Sequence, residues 1–167
     1  MLMFITLGTT AQKDSIYIAE QKDEMTDKSY YFPSRQLICQ NPDNKGVGFA
    51  ASFFIGKANN GDLEVRELKM KIIGVGSCHE KDEVILLLDD GTKVKAVMWN
   101  DFNCDGKVWC KVDKSDMRDL AIKKVIKIRV QNGRTFESYT HVVSVSEQDY
   151  FNQLFYAVQY NIIKPFK

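Results

Sequence analysis

The sequence has too little charge of one sign to belong to several common functional classes. Its 167 residues include 23 Lys and Arg against 22 Asp and Glu, a formal net charge of +1. Proteins that bind nucleic acid or anionic membranes usually carry an excess of positive charge, which this chain lacks. Runs of about 18 apolar residues are also missing, and a hydrophobic membrane-spanning helix needs one. We therefore expect no nucleic-acid partner and no membrane span.

Side chains with catalytic chemistry are equally scarce. Only His79 and His141 are present as histidines. The stretch 77–79 places Ser, Cys and His side by side, whereas the members of a catalytic triad come from separate chain segments. The acid pair at 89–90 falls in a turn sequence, and the glycines at 74–76 precede neither a third glycine nor a helix. The sequence thus predicts that the protein is not an enzyme and has no catalytic or cofactor-binding residue.

What the sequence does contain is period-two alternation of apolar and polar residues, which is typical of β-strands. Turn residues separate the alternating segments, as at 59–62, at 89–91 and at Asn132-Gly133, which is a strong signal for a two-residue hairpin. About nine strands follow at close spacing, and no helices alternate with them as a parallel sheet would require. The predicted fold is mainly β, an antiparallel β-sandwich or barrel-like structure.

One convincing helix closes the chain. Phe151, Leu154, Phe155 and Val158 recur at helical spacing and form a single apolar face, and Ser146 is the expected N-cap. A short helical turn is expected near 115–120. The segment 84–88 is apolar at every position, so we expect both of its faces to be covered, one of them by the C-terminal helix.

The first residues indicate export. Residues 1–8 form a short apolar segment, and the small residues Thr9, Thr10 and Ala11 follow it, as in the second half of a secretory leader. The basic segment that opens a leader is missing, so a first β-strand is the alternative. We expect residues 1–11 to be a leader and residues 12–167 a single domain, located in the periplasm or outside the cell, with the cytoplasm as the alternative.

The four cysteines bear on the same question of compartment. Cys39, Cys78, Cys104 and Cys110 show no C-x-x-C spacing, which argues against a zinc ribbon or a thioredoxin-like redox pair. A bridge between Cys78 and Cys104 is favoured, because both lie at predicted strand ends beside turn residues. Four reduced and buried thiols are the alternative.

One segment matches the first half of a calcium-binding loop. Asp101, Asn103 and Asp105 alternate as hard oxygen donors, and a glycine follows that allows the chain to wrap an ion. The match then fails, because Val112 stands where the bidentate glutamate is needed. Asx-rich turns have the same composition. We therefore predict no metal site.

A basic stretch contains Lys123, Lys124, Lys127, Arg129 and Arg134. On a strand, Lys127 and Arg129 share a face. That face could bind phosphate groups, but solvated strand faces commonly carry lysine, and no aromatic residues are interleaved here. The solvated face is the favoured interpretation.

The segment 23–28, Asp-Glu-Met-Thr-Asp-Lys, resembles a D-x-M-T-D-K signature found in an uncharacterised bacterial family of small, often exported β-sandwich proteins. The segments 89–91, 99–104 and 128–134 are also similar to parts of such proteins. The resemblance implies a fold and a compartment, and it transfers no catalytic residue.

Three functions follow as hypotheses. The first is an exported, non-enzymatic binding or structural module. The second is an immunity-type or phage-related protein that occupies a partner's surface, for which Tyr17, Tyr30 and Tyr31 would suit an interface. The third is a carrier of a small hydrophobic ligand, which needs an internal cavity.

Overall fold

The computed structural model describes residues 15–35, 37–40, 48–73, 78–98, 103–104 and 107–166. Within these ranges the chain forms eleven strands and two helices. The strands are β1 (Ile18–Lys22), β2 (Ser29–Pro33), β3 (Leu37–Gln40), β4 (Gly48–Lys57), β5 (Leu63–Ile73), β6 (Glu83–Leu88), β7 (Lys93–Met98), β8 (Lys107–Lys111), β9 (Val125–Gln131), β10 (Ser138–Val142) and β11 (Ile163–Pro165). The helices are α1 (Lys114–Ile122) and α2 (Val145–Gln159). The predicted mainly β fold with a C-terminal helix is confirmed.

The strands form two sheets joined in one hydrogen-bonded path. Its order is β10-β9-β6-β7-β8-β5-β4-β2-β1-β11, and β3 pairs with β4 beside this path. The sheets meet where β7 pairs with β8 through two residue pairs. Each described pairing is antiparallel except that of β1 with β11, which is parallel. The chain forms β11 only after α2. The expected number of about nine strands was too low, because four-residue β3 and three-residue β11 are too short to show alternation.

The core is organised around α2. This helix contacts β9 in one sheet and β1, β3 and β5 in the other. The rings of Tyr150, Phe151 and Phe155 surround Phe53 of β4 at centroid distances of 6.0–6.5 Å. The predicted stripe of Phe151, Leu154, Phe155 and Val158 is at most 1% exposed. The apolar face of α2 is therefore confirmed as core.

The start of α2 differs from the prediction. The N-cap is Ser144 and not Ser146, and the Ser144 hydroxyl accepts a hydrogen bond from the backbone N–H of Glu147. The Glu147 carboxylate in turn accepts from the Ser144 N–H at 2.6 Å. Glutamate three residues after the cap completes this reciprocal pair, which a start at Ser146 could not offer. The expected short turn near 115–120 is a nine-residue helix, α1.

Cover on both faces of β6 was also expected, and among the described residues it is complete on one face and partial on the other. Val84, Leu86 and Leu88 are completely buried, whereas Ile85 and Leu87 on the opposite face are only half-buried. The adjoining β6–β7 turn matches its prediction, since Gly91 has a φ of +86°, which glycine adopts without steric cost. None of the described helices combines the length and apolar character needed to cross a membrane.

Candidate functional site

The Cys78–Cys104 disulfide is present, as the sequence favoured. It lies beside an isolated antiparallel bridge in which the His79 N–H donates to the Asn103 carbonyl at 2.6 Å and the Asn103 N–H donates back at 3.0 Å. Cys104 is exposed and Cys78 is half-buried. The bond thus joins two chain segments at the protein surface.

A buried polar cluster lies directly beneath the disulfide. His79 and Asp82 have fully buried side chains, and His79 Nδ1 lies 2.7 Å from Asp82 Oδ2. The other carboxylate oxygen, Oδ1, accepts the backbone N–H of Gly133 at 3.2 Å. Asn132, also fully buried, donates its side-chain amide to the Cys78 carbonyl at 2.8 Å. The cluster therefore ties the disulfide to the β9–β10 turn.

Gly133 is required at its position by close approach of the backbone. A Cβ atom there would lie 2.2 Å from the Lys81 carbonyl oxygen and 2.5 Å from that of Glu80. The two-residue hairpin predicted at Asn132-Gly133 was wrong. Because Asn132 donates its N–H to the Glu137 carbonyl at 2.8 Å, the turn extends over 132–137.

A second buried pair joins His141 of β10 to α2. His141 Nε2 lies 3.1 Å from Glu147 Oε2, the same carboxylate that caps the helix. His141 is 3% exposed and Glu147 is 7% exposed. Both histidines therefore hold carboxylates inside the protein. His79 and Asp82 join their loop to the β9–β10 turn, and His141 and Glu147 join β10 to α2.

Other candidates from the sequence are dispersed. Asp101 and Asp105 of the calcium-like segment lie outside the described residues, and the backbone of Asn103 is engaged in the bridge to His79. Val112 is 7% exposed and belongs to the core. Within the described part of the chain, no cluster of His, Cys, Asp and Glu could hold a metal ion.

The two remaining cysteines, Cys110 and Cys39, lie on different strands. Cys110 of β8 is a buried thiol that takes no part in the disulfide, and burial raises its pKa to about 12. A thiol with such a pKa is not a nucleophile at neutral pH. Cys39 stands on β3, and its side chain lies outside the described residues.

The basic stretch is divided by the fold. Lys123 pairs with Asp90 at 2.9 Å and with Asp119 at 3.2 Å. The hydrogen bond that Lys123 donates is the main reason why the pKa of Asp90 is lowered to about 2. Lys127 and Arg129 share the outer face of β9, as predicted, and both are exposed. Arg134 lies apart from them in the β9–β10 turn.

The tyrosines that suggested an interface separate into two groups. Tyr31 packs against the core, whereas Tyr17 and Tyr30 alternate with core residues and point outward. Phe32 and Phe166 lie beside them, with ring centroids 5.2 Å apart. Phe54 follows buried Phe53 on β4 and points to the outer side of the sheet. We call this surface the aromatic face; it consists of Tyr17, Tyr30, Phe32, Phe54 and Phe166.

A cleft of about 470 Å³ opens between the β4–β5 turn, the start of α1 and the end of α2. Its lining includes the charged side chains of Asp62, Lys111, Asp113 and Lys114, together with Met117 and Val158. A polar lining of this kind does not match a small hydrophobic ligand, which needs an apolar, enclosed pocket.

Residue patterns did not identify Asp82 and Asn132, the two residues that connect the disulfide to the β9–β10 turn. The spacing of His79 and Asp82, three residues apart, was an available signal, but only the fold buries both of them. Comparison with protein-family models, with curated proteins and with solved structures finds no match. The site is therefore interpreted from its own geometry.

Proposed function

We propose that the protein is an exported, non-enzymatic binding module that holds a protein partner on its aromatic face. The observation that carries this proposal is the exposure of three outward aromatic side chains, one on β2, one on β4 and one directly after β11. Tyr30 is 48% exposed, Phe54 is 47% exposed and Phe166 is 57% exposed. Aromatic side chains are enriched at protein interfaces and frequently dominate the binding energy.

The aromatic face is also held in place before any partner arrives. The Phe32 and Phe166 rings pack edge to face, and Lys164 Nζ lies 4.7 Å from the centroid of the Tyr17 ring. Rings that are already ordered lose little conformational entropy on binding. An aromatic surface with this support favours binding over a purely structural role.

Export is supported by the disulfide. A surface bridge between Cys78 and Cys104 persists in oxidising compartments, whereas cytosolic thiols are normally kept reduced. Residues 1–11, the predicted leader, lie outside the described residues. Export of the chain therefore remains part of the proposal.

The non-enzymatic part rests on the burial of the reactive groups. Both histidines are bonded to carboxylates beneath the surface, and the Cys110 thiol has a raised pKa. An immunity-type or phage-related role remains compatible with a partner on the aromatic face. The carrier hypothesis gains no support from the described cleft, because charged side chains contribute much of its lining.

The test is capture of a partner by the mature protein and by two matched variants. The first variant, Tyr30→Ala with Phe54→Ala, removes two exposed rings from the aromatic face. The control, Tyr156→Ala with Tyr160→Ala, removes one ring of α2 and the ring of its C-cap, which are 46% and 56% exposed. We expect the wild-type protein and the control to retain one stoichiometric partner from envelope extract, and the aromatic-face variant to lose it.

The same experiment can reject the proposal. Retention of the partner by the Tyr30 and Phe54 variant, or its loss from both variants alike, would show that the aromatic face is not the binding surface. Size-exclusion chromatography of the pure protein identifies the special case in which the partner is a second copy of this chain.

A further inference from the structure

The outer face of β10, β9, β6 and β7 carries two rows of residues that strand pairing places side by side. Strand register aligns one row as Val142, Lys127, Leu87 and Lys93, and the next row as Thr140, Arg129, Ile85 and Lys95. In each row an aliphatic side chain of β6 stands between two cationic side chains. The cations of one row are about 10 Å apart across two strand spacings, and the rows are about 7 Å apart along the strands.

The charge on this surface is strongly unbalanced. Lys93, Lys95, Lys127 and Arg129 supply four positive charges, and Glu83 is the single carboxylate among the described outward residues of these strands, which leaves a net charge of +3. Glu83 is already shared, since it pairs with Lys95 and lies 3.8 Å from Arg129. The net charge of +1 for the whole chain therefore conceals a local basic surface. We call it the basic face.

Two acids at the end of the basic face have their own partners. Asp90 pairs with Lys123 at 2.9 Å, and Asp89 Oδ1 accepts the backbone N–H of Lys124 at 3.2 Å. Through these contacts, both carboxylates of the β6–β7 turn bind the loop before β9. They leave Lys93 and Lys127 without a neutralising carboxylate among the described residues.

We infer that the basic face binds the surface of an anionic lipid bilayer. Lysine is depleted at protein–protein interfaces, but three of these four cations are lysines. Binding of single-stranded nucleic acid relies on aromatic side chains on which bases stack, and the described part of this face has none. Anionic headgroups instead attract clustered Lys and Arg by charge alone, and a broad sheet face can present several of them to a surface at once.

The aliphatic residues fit the same occupant. Leu87 is half-buried between two lysines and Ile85 is half-buried between Arg129 and Lys95, and Val142 at the end of its row is 65% exposed. Lysine can lay its methylene stem along such apolar surface while its ammonium group reaches phosphate oxygens. Protein segments that lie in the headgroup region likewise combine apolar side chains with lysine and arginine.

This inference is independent of the partner proposed above, because the two faces share no residue. The test uses the full mature chain and sedimentation with two kinds of vesicle. One contains phosphatidylcholine alone, and the other contains about one third phosphatidylglycerol. We expect salt-sensitive binding to the anionic vesicles only, since exposed charges are screened by salt.

Two double variants assign the binding to its surface. Lys93→Gln with Lys127→Gln removes one cation from each side of the first row, and we expect about 30-fold weaker binding to the anionic vesicles. The control, Lys28→Gln with Arg118→Gln, removes the same charge from exposed positions in the 23–28 turn and on α1, and it should retain most of the binding. Circular dichroism confirms that both variants remain folded.

Three outcomes would overturn the inference. The first is no binding of the wild-type protein to anionic vesicles at low salt. The second is equal loss in both double variants, which would reduce the effect to total charge. The third is tight binding to single-stranded DNA with none to the vesicles, which would assign the basic face to nucleic acid.

Discussion

The β1–β2 and β9–β10 hairpins close with the same turn in two very different settings. The Asp23 N–H donates to the Lys28 carbonyl at 2.8 Å, and the Asn132 N–H donates to the Glu137 carbonyl at 2.8 Å. In both turns the fifth residue has positive φ, 54° at Asp27 and 61° at Phe136. The first side chain of each turn accepts the N–H two residues later.

Their surroundings separate the two turns completely. The 23–28 turn is largely exposed, whereas Asn132 is fully buried and contacts the Cys78 carbonyl beneath the disulfide. The strands that follow also present opposite faces. Tyr30 occupies the position equivalent to Tyr139, yet Tyr30 points outward and Tyr139 packs against the core. Local sequence thus determines the turn, and tertiary packing determines which face of the hairpin remains available for binding.

The largest expected difference between the hairpins comes from Gly133→Ala. The added methyl group would collide with two backbone carbonyls, so we expect a loss of about 3–5 kcal/mol in the free energy of unfolding. Glu24→Ala is the matched control, because Glu24 holds the equivalent position in the exposed turn, and its change should stay within about 0.5 kcal/mol. Urea denaturation measures both. Similar losses would remove the distinction between the turns.

Reduction of the disulfide should act on one hairpin only. The bridge spans 26 residues, and opening it should cost about 3.5 kcal/mol through the entropy gained by the unfolded chain. Hydrogen exchange under reducing conditions should accelerate at 132–137, which the cluster holds to Cys78, and remain unchanged at 23–28. Equal acceleration in both turns would contradict the proposed anchoring.

Asn132→Ala should lower the free energy of unfolding more than Asp23→Ala, although each substitution removes the side-chain acceptor at the first position of its own turn. Loss of Asn132 also leaves the Cys78 carbonyl without this donor in a partly buried place, for an expected cost of about 1–2 kcal/mol. Water can replace the acceptor in the exposed 23–28 turn. Thermal unfolding of the two variants, measured side by side, compares them, and a larger effect at Asp23 would reverse the assignment.

The smallest expected effect is a difference in acid sensitivity. Hydrogen bonds, chiefly from the Met25 N–H, lower the pKa of Asp23 in the folded protein. Because the folded-state pKa is lowered, the ionised Asp23 carboxylate contributes to stability at neutral pH, and this contribution is lost as the pH falls through the folded-state pKa. The Met25 amide shift should therefore titrate below the usual Asp range. The Arg134 amide, bonded to the Asn132 side chain that cannot ionise, should show no such step.

The sequence predicted what alternation and spacing can encode. The apolar stripe of α2 and the glycine turn at 89–91 follow from residue types at regular or adjacent positions, and the Cys78–Cys104 pair follows from two cysteines at predicted strand ends. The capping residue Ser144 and the six-residue turn at 132–137 depend on contacts with Glu147 and with the disulfide cluster. Local propensity does not contain those contacts.

The candidate surfaces were harder to predict for a related reason. Lys127 and Arg129 could be placed on one face from sequence, but Lys93 and Lys95 join them only through the pairing of β6 with β7 and β9. Tyr17, Tyr30 and Tyr31 were grouped by type, and the register then sent Tyr31 to the core. Strand order, which brings together residues far apart in the chain, was the missing information.

The central claim, that the aromatic face holds the partner, is tested most directly by photo-crosslinking in the intact cell. A benzoylphenylalanine residue at position 30 would report on the aromatic face, and the same residue at position 160 would report on the exposed C-cap of α2. We predict one crosslinked protein from position 30 and none from position 160. Crosslinks of equal yield from both positions, or from position 160 alone, would contradict the account.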